Sequence, residues 1–260
     1  MKTEKQSKQK PVDPTMNNRR VPAAQSRGQH EFSTLESELL AQGPIIALRR
    51  DTVAMPGGGS ATREILEHFG AAAIVALDEH NRIALIHQYR HAFGQRLWEI
   101  PAGLLDLAGE TALECAQREL QEETGARAAH WAVLGDIATS PGISDEATRI
   151  FLARDIQKAD DDPAAAAEIG NSGDEEADMQ LEWVELADAV VMVGSGEISN
   201  ASAVTGILLA HQHLQSGTQL RSVEAPFELR PTALARRRQA TGQVKPGDAL
   251  TQVTGTEADE

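Results

Sequence analysis

Apolar and polar positions alternate in short runs through the middle of the chain, which predicts strands there. Residues 45–55 and 62–68 are rich in β-forming side chains, and the turn sequence at residues 56–60, with three glycines, separates them. This arrangement predicts a β-hairpin. The apolar runs at residues 71–77 and 82–89 predict two adjacent strands.

The 3.6-residue period of an amphipathic helix is clearest at residues 111–124. Leu113, Ala116 and Leu120 form the apolar stripe of this helix, and Gly125 follows as a residue that ends helices. We predict further strands at residues 97–100, 131–137, 148–155 and 181–186, and helices at 186–193 and 201–215. Strands and helices that alternate in this way predict an α/β fold around one mixed sheet.

Both ends of the chain and one internal segment lack this periodicity. Residues 1–30 contain seven Lys or Arg against two acidic residues, so we expect a disordered basic tail. We assign residues 31–69 to an N-terminal helix and strand extension, 70–215 to the main domain, and 216–260 to a loosely held C-terminal tail. Residues 158–177, rich in Asp and Ala, predict a flexible acidic excursion from the main domain.

The composition limits the classes of function. A net charge of −15 argues against non-specific binding to nucleic acid, because the phosphates would repel the chain. No apolar run approaches the roughly 18 residues that span a bilayer, and no apolar signal segment follows the basic start. The single cysteine, Cys115, cannot form an intrachain disulfide. We therefore expect a cytoplasmic protein that binds neither nucleic acid nor membranes.

Three carboxylates share one face of the predicted helix. Glu119, Glu122 and Glu123 are three and four residues apart, and like charges at this spacing oppose a helix by about 0.2–0.5 kcal/mol per pair. Taken alone, the pattern is also typical of a solvated acidic face with Arg118 as an ion-pair partner. A divalent cation would reverse the repulsion, because Mg²⁺ and Mn²⁺ favour carboxylate oxygens.

A longer pattern around this helix favours the metal site. It consists of Gly103, Glu110, Arg118, Glu119, Leu120, Glu122, Glu123, Gly125 and Ala126. This pattern strongly resembles the Nudix box, the signature of the Nudix hydrolases. Seven residues separate Glu110 from Arg118, as in the signature, but six separate Gly103 from Glu110, one more than the signature has. The additional residue falls in the loop before the helix, so it should leave the carboxylate geometry intact.

The resemblance implies a Nudix α/β/α sandwich around a mixed sheet, with an N-terminal β-hairpin extension, and a metal-dependent hydrolase. The implied ligands of Mg²⁺ or Mn²⁺ are the carboxylates of Glu119, Glu122 and Glu123 and the backbone carbonyl of Ala102. Arg118 and Glu110 are implied to orient these ligands rather than to contact the metal.

The segment at residues 140–146 lies between two predicted strands and has the sequence Ser-Pro-Gly-Ile-Ser-Asp-Glu. It resembles the catalytic loop of the ADP-ribose pyrophosphatase subgroup, in which a glutamate activates the attacking water. The resemblance implies Glu146 as the general base, with Asp145 as the alternative. Pro141 follows Ala126, the last box position, by 15 residues, which is similar to its placement in that subgroup.

Residues 88–90 and 98–103 look like the substrate-side strands of the same subgroup. The implied substrate contacts are Arg90 and Arg96 for phosphate, Trp98 for adenine, Glu99 and, across a dimer, Arg50. Surface charge for the first two residues and core packing for Trp98 are equally compatible with the sequence. Residues 50–64 resemble the N-terminal hairpin that this subgroup exchanges between two subunits, which implies a homodimer.

The resulting hypothesis is hydrolysis of ADP-ribose to AMP and ribose 5-phosphate. The first alternative is a pyrophosphatase of another nucleoside diphosphate derivative, such as ADP-glucose, another nucleotide sugar or NADH. The second is a regulator that binds ADP-ribose without cutting it. We favour an enzyme, because Glu119, Glu122 and Glu123 are all present and no DNA-binding motif is appended.

Overall fold

The structure is a computed structural model that describes residues 30–158 and 178–241. Nearly all of the predicted basic tail, the acidic excursion beyond residue 158 and the end of the C-terminal tail lie outside the described residues. In chain order the strands are β1 (Thr34–Gln42), β2 (Ile46–Ala54), β3 (Ser60–His68), β4 (Ala71–Ala76), β5 (Arg82–Arg90), β6 (Gln95–Glu99), β7 (Ala102–Leu104), β8 (Arg127–Ala138), β9 (Ala147–Gln157) and β10 (Gln180–Glu185), and the helices are α1 (Ala112–Thr124), α2 (Leu186–Ser195), α3 (Ala201–Ser216) and α4 (Ala233–Thr241).

The N-terminal extension is an antiparallel sheet with the order β1-β2-β3. The predicted hairpin is confirmed: β2 and β3 pair from Ile46 opposite His68 to Ala54 opposite Ser60. The helix expected within residues 31–69 is wrong, since β1 occupies residues 34–42 and pairs with β2. Leucines four residues apart, at 35 and 39, suit a helix locally, but backbone pairing with β2 overrides that preference.

A mixed sheet with the order β7-β4-β9-β8 forms the centre of the main domain. Strands β4 and β9 run parallel, whereas β7 and β8 are antiparallel to their neighbours. Residues 72–76 of β4 are fully buried, because helices cover both faces of the sheet. Ala72 and Ile74 pack in one cluster with α1, and Ala73 and Val75 pack in another with α3. The expected α/β/α sandwich is thus confirmed.

Strands β5, β6 and β10 form a separate antiparallel sheet with the order β10-β5-β6. The apolar runs that predicted adjacent strands, β4 and β5, therefore lie in different sheets, although a bridge between Leu77 and Ile83 joins them. The carboxylate of Asp78 holds this connection, since it accepts hydrogen bonds from the backbone of His80 and Arg82 at 3.0 and 2.9 Å. A single mixed sheet is consequently too simple a description.

The C-terminal segment packs against both parts of the fold, so the expectation of a loosely held tail is wrong for residues 216–241. Leu234, at the start of α4, is fully buried against Ala47 and Phe69. The guanidinium of Arg149 in β9 donates to the carbonyls of Ala225 and Pro226 at 2.7 Å each. We call residues 225–238 the C-terminal strap. None of the described helices has the length and apolarity needed to cross a bilayer.

Candidate active site

Helix α1 begins and ends with strong local signals. Thr111 and Glu114 form a capping box, in which the Glu114 N–H donates to Thr111 Oγ1 at 3.2 Å and the Thr111 N–H donates to Glu114 Oε2 at 2.8 Å. Gly125 ends the helix in the left-handed conformation, with φ of 66°. Cys115, Ala116 and Leu120 are buried against the sheet. The face that carries the box glutamates is therefore held at the edge of the core.

Arg118 lies among the box carboxylates and offsets their repulsion. Its Nε and Nη2 donate to the two oxygens of Glu110 at 2.9 and 3.2 Å. Its Nη1 donates to Glu119 at 2.7 Å and to Glu122 at 2.8 Å. Burial opposes the charge of Arg118, but its hydrogen bonds to Glu110 and the negative charge of Glu119 outweigh burial and raise the pKa of Arg118. Arg118 therefore links Glu110 to Glu119 and Glu122.

Strand β7 contacts two of the box glutamates directly. The Ala102 N–H donates to Glu123 Oε2 at 3.0 Å. The Glu119 carboxylate lies so close to Gly103 that a Cβ atom there would be 1.8 Å from Glu119 Oε1. Only glycine leaves this space open, so the Glu119 contact explains on steric grounds why the first residue of the box is glycine.

The donor chemistry of this region fits a hard divalent cation, because the box offers carboxylate oxygens beside the backbone of β7. As they stand, Glu119 and Glu122 are held by Arg118, and Glu123 by the Ala102 N–H. No three His, Cys, Asp or Glu side chains in residues 30–158 and 178–241 converge as a ready-made metal site. A bound cation would therefore compete with Arg118 for Glu119 and Glu122.

The loop at residues 140–146 separates its two acidic side chains. Glu146 Oε2 accepts a hydrogen bond from Thr139 Oγ1 at 2.5 Å, across the base of the loop. Asp145 Oδ1 instead accepts from the His68 N–H in β3 at 2.8 Å. Burial raises the pKa of Asp145, although the hydrogen bond from His68 opposes this change. The structure thus gives Glu146 and Asp145 different surroundings.

A cleft of about 540 Å³ lies between the loop, β7 and the turn that joins β5 to β6. Ala102 and Gly103 line it on one side and Glu146 on another, so the box strand and the candidate base share one cavity. Arg90 and Glu99 also line it, and they are paired by two hydrogen bonds of 2.9 and 2.6 Å. We call this cavity the reaction cleft.

The other predicted substrate contacts lie elsewhere. Arg96 pairs with the carboxylate of Asp178, and it is not among the residues that line the reaction cleft. Trp98 stacks on His87, with ring centroids 4.5 Å apart, and packs against the core. Arg50 forms an ion pair of 2.8 Å with Glu64 within the N-terminal sheet. Within one chain the structure therefore brings only Arg90 and Glu99 of this group to the cleft.

Phe93 is a cleft residue that the sequence reasoning missed. It lines the reaction cleft with 70% of its surface exposed, in the turn between β5 and β6. The Phe93 N–H donates to the Arg90 carbonyl at 2.9 Å, and Gly94 follows in the left-handed conformation with φ of 64°. An aromatic residue directly before a turn glycine was the available signal, since aromatic rings exposed in clefts commonly contact ligands.

The chain matches two known family models. The family model of the NUDIX domain matches residues 67–204, and that of the nucleoside diphosphate sugar hydrolase N-terminal domain matches residues 33–66. The chain therefore belongs to the Nudix family, and it is a hydrolase of the Nudix type. Nudix hydrolases generally use divalent metal ions.

Individual relatives resemble most of the chain. It is 47% identical over 212 residues to an ADP-ribose pyrophosphatase of Mycobacterium tuberculosis, which covers 81% of this chain and 98% of that protein. It is 33% identical over 185 residues to an ADP-ribose pyrophosphatase of Bacillus subtilis, covering 71% of this chain and 93% of that protein. A crystal structure of an ADP compounds hydrolase has a TM-score of 0.61 at 21% identity, covering 74% of this chain and 98% of that chain, which supports the same fold.

Proposed function

We propose that this chain hydrolyses ADP-ribose to AMP and ribose 5-phosphate. The observation that carries the proposal is that Glu146 and strand β7 line one cleft, while β7 also contacts the box glutamates Glu119 and Glu123. A diphosphate bound in this cleft would lie beside Glu146 and beside the strand that contacts the proposed metal ligands, as metal-assisted hydrolysis requires. The similarity to ADP-ribose pyrophosphatases over most of their length supports ADP-ribose as the substrate.

Glu119, Glu122, Glu123 and the Ala102 carbonyl are the proposed ligands of Mg²⁺ or Mn²⁺. When bound, such a cation neutralises charge on the diphosphate oxygens and lowers the pKa of a coordinated water. Arg118 and Glu110 orient the carboxylates through the contacts described above. The charges of Arg118 and Glu110 cancel, so the carboxylates of Glu119, Glu122 and Glu123 leave the box with a net negative charge that attracts the cation.

Glu146 is the proposed general base. It accepts a proton from water as the water oxygen bonds to one phosphorus of the diphosphate and the bond to the bridging oxygen breaks. The hydroxyl of Thr139 donates to one carboxylate oxygen of Glu146, which fixes the side chain at the cleft. We favour Glu146 over Asp145, because Asp145 is engaged by the backbone of β3.

Arg90 and Glu99 are the proposed substrate contacts within the chain. Glu99 is buried and holds the guanidinium of Arg90 through two hydrogen bonds at the cleft. Their fixed geometry suits Arg90 for phosphate oxygens, because a guanidinium presents donors in a rigid plane. Arg96, Trp98 and Arg50 would need a second subunit or a conformational change to reach the substrate.

We also propose a homodimer formed through the N-terminal sheet, and a cytoplasmic location. Phe32, Leu35, Leu39, Ile45 and Ile46 are exposed large apolar side chains on or beside this sheet. Their number in one region supports an interface between subunits. The location rests on the reducing environment that suits a protein with a single cysteine.

The function is tested by measuring kcat/KM on ADP-ribose, ADP-glucose, NADH and a dinucleoside polyphosphate, with Mg²⁺, with Mn²⁺ and with chelator. We expect the highest kcat/KM on ADP-ribose, release of AMP, and loss of turnover with chelator. Glu146→Gln should lower kcat by about 10²–10⁴-fold, since it removes the general base. Glu123→Gln should lower kcat/KM, and higher metal concentrations should partly restore it.

Glu182→Gln is the matched control, because it removes one carboxylate from an exposed position on β10. It should leave kcat/KM unchanged. If another substrate has a higher kcat/KM than ADP-ribose, that substrate replaces ADP-ribose in the proposal. If ADP-ribose binds but no substrate is cut, the chain is a regulator rather than an enzyme of this activity.

A further inference from the structure

The C-terminal strap lies beyond both segments matched by the family models, yet it contacts the N-terminal sheet and the main domain. Pro231 packs so tightly on Gly70 that a Cβ there would be 2.9 Å from Pro231 Cδ. The guanidinium of Arg238 lies over the ring of Phe69, 4.9 Å from its centroid. Together with the buried Leu234, these contacts fix the strap against the end of β3 and the start of β4.

The strap supplies a charged partner to a buried carboxylate in β3. Glu67 is fully buried, and Arg237 donates to its two oxygens at 2.9 and 2.8 Å. Arg49 of β2 donates to the same carboxylate at 2.9 Å. Burial opposes the charge of Glu67, but the hydrogen bonds from Arg237 and Arg49 outweigh it and lower the pKa of Glu67. The position of Glu67 therefore depends on the strap.

The residues on either side of Glu67 hold the loop that carries Glu146. The Leu66 N–H donates to the Ile143 carbonyl at 2.8 Å, and the Leu66 carbonyl accepts from the Asp145 N–H at 3.1 Å and from Ser144 Oγ at 3.1 Å. The His68 N–H donates to Asp145 Oδ1 at 2.8 Å. Alternate residues of a strand direct their backbone groups to the same side, so Leu66 and His68 both face the loop.

We propose that Arg237 is a positioning residue for hydrolysis: by holding Glu67 it fixes β3 against residues 143–145 and so sets the position of Glu146. The proposal rests on the proposed function, in which Glu146 is the general base. Residues 143–145 are directly followed by Glu146, and Ser144 Oγ accepts from the Glu146 N–H at 3.0 Å. A shift of β3 would consequently move the base relative to the cleft.

The consequence of losing Arg237 follows from the burial of Glu67. A buried carboxylate that keeps only Arg49 as its charged partner is driven toward water or toward protonation. Either response displaces the segment from Leu66 to His68, whose backbone bonds to the loop have little tolerance for movement. General-base catalysis is sensitive to such changes, because proton transfer requires the base within hydrogen-bonding distance.

The experiment compares Arg237→Met with Arg236→Met, which removes the same side chain from the exposed neighbouring position. Arg237→Lys tests rescue, since lysine keeps the charge but not the two-pronged geometry. A competent site is one that binds α,β-methylene ADP-ribose, and such sites are counted by calorimetric titration. We expect Arg237→Met to lower kcat, calculated per competent site, by about 10- to 100-fold. Arg237→Lys should recover part of the loss, and Arg236→Met should match the wild type.

Hydrogen exchange provides a readout that does not require activity. In Arg237→Met the amides of Leu66, His68 and Asp145 should exchange faster, whereas the amides of β4 and α1 should be unchanged. If the wild type does not hydrolyse ADP-ribose, this result still tests the link between the strap and the loop. Unchanged exchange at these amides in Arg237→Met would overturn the proposal.

A double-mutant cycle then assigns the route. Ser144→Ala removes the contacts of Ser144 Oγ with the Leu66 carbonyl and with the Glu146 N–H, which both lie on the proposed route from β3 to the base, so its effect on kcat should be less than additive with that of Arg237→Met. Additive effects on kcat would mean that Arg237 acts by another route, and would overturn the proposal. A loss of kcat in Arg237→Met that disappears when competent sites are counted would overturn it as well, since it would reflect unfolding alone.

Discussion

Gly103 allows the carboxylate of Glu119 to lie against the backbone of β7. Glu119 Oε1 occupies the volume where any other residue would place its Cβ atom. The neighbouring Ala102 N–H binds Glu123, so two adjacent residues of β7 contact two box glutamates one helical turn apart. The box residues Gly103 and Glu119, far apart in the sequence, are thus in contact between β7 and α1. The additional residue in the loop between Gly103 and Glu110 does not prevent this contact.

We predict that Gly103→Ala lowers activity without unfolding the protein. The methyl group must displace the Glu119 carboxylate, which should weaken metal binding and reduce kcat/KM by about 100-fold. The weaker metal binding is measured by titration with Mn²⁺, with electron paramagnetic resonance as the detection method. Gly194→Ala is the control, because a Cβ there meets nothing within 4 Å. Equal Mn²⁺ affinity in Gly103→Ala and wild type would show that the Glu119 position does not matter for the metal.

Elements with strong local signals were predictable from the sequence. Helix α1 begins within one residue of its predicted start, because Thr111 caps it and Gly125 ends it. The central strands were predictable because burial on both faces requires continuous apolar runs, as in β4. The shared face of Glu119, Glu122 and Glu123 was predictable too, since residues three and four apart on a helix are neighbours whatever the rest of the chain does. Their role as metal ligands stays a prediction.

Elements that depend on distant partners were not predictable. Helix α4 has no apolar stripe, and its place in the fold comes from Leu234 and Arg238, which both contact Phe69, and from Arg237, which binds Glu67. Strand β1 is largely exposed and exists through pairing with β2. The same reason explains why the link from the strap to the loop of Glu146 escaped sequence analysis.

Strand β1 lies at the edge of the N-terminal sheet and exposes the large apolar side chains of Leu35 and Leu39. We predict that the protein sediments at twice the monomer mass, and that Leu35→Glu combined with Leu39→Glu yields a monomer, because charges would be buried at the interface. Analytical ultracentrifugation measures both masses. Val191→Glu is the control, since Val191 is an exposed apolar residue on α2, outside the N-terminal sheet. A monomeric wild type would contradict the dimer.

At the scale of the whole molecule, the buried carboxylates of Glu67 and Asp78 and the half-buried carboxylate of Asp136 join the sheets and the C-terminal segment. Glu67 links β3 to α4, as described above. Asp136 in β8 binds Arg149 in β9 and Arg221 in the C-terminal segment, each at 2.8 Å. Asp78 joins the start of β5 to the end of β9 through Arg82 and Lys158. The pKa of Asp136 is lowered, because its hydrogen bonds from the two arginines outweigh the effect of burial.

The contribution of Asp78 to stability should depend on pH in a defined direction. Burial alone would raise its pKa, but hydrogen bonds from Lys158, the Arg82 backbone and the Arg82 side chain lower it from 3.8 to about 2. A carboxyl group with a lower pKa in the folded state stabilises that state above the unfolded pKa. Its contribution, about 2 kcal/mol, is therefore complete above pH 4 and is lost as the pH falls toward 2.

We predict that Asp78→Asn lowers the free energy of unfolding by about 2 kcal/mol at pH 7, and that the difference from wild type shrinks as the pH falls below 4. Urea unfolding at pH 7, 5, 4 and 3 measures this difference. Glu79→Gln removes an exposed charge from the next position and should differ little from wild type at each pH. A difference for Asp78→Asn that stays constant from pH 7 to pH 3 would mean that its carboxylate charge does not stabilise the fold, and that the hydrogen-bonding geometry alone holds the connection between β4 and β5.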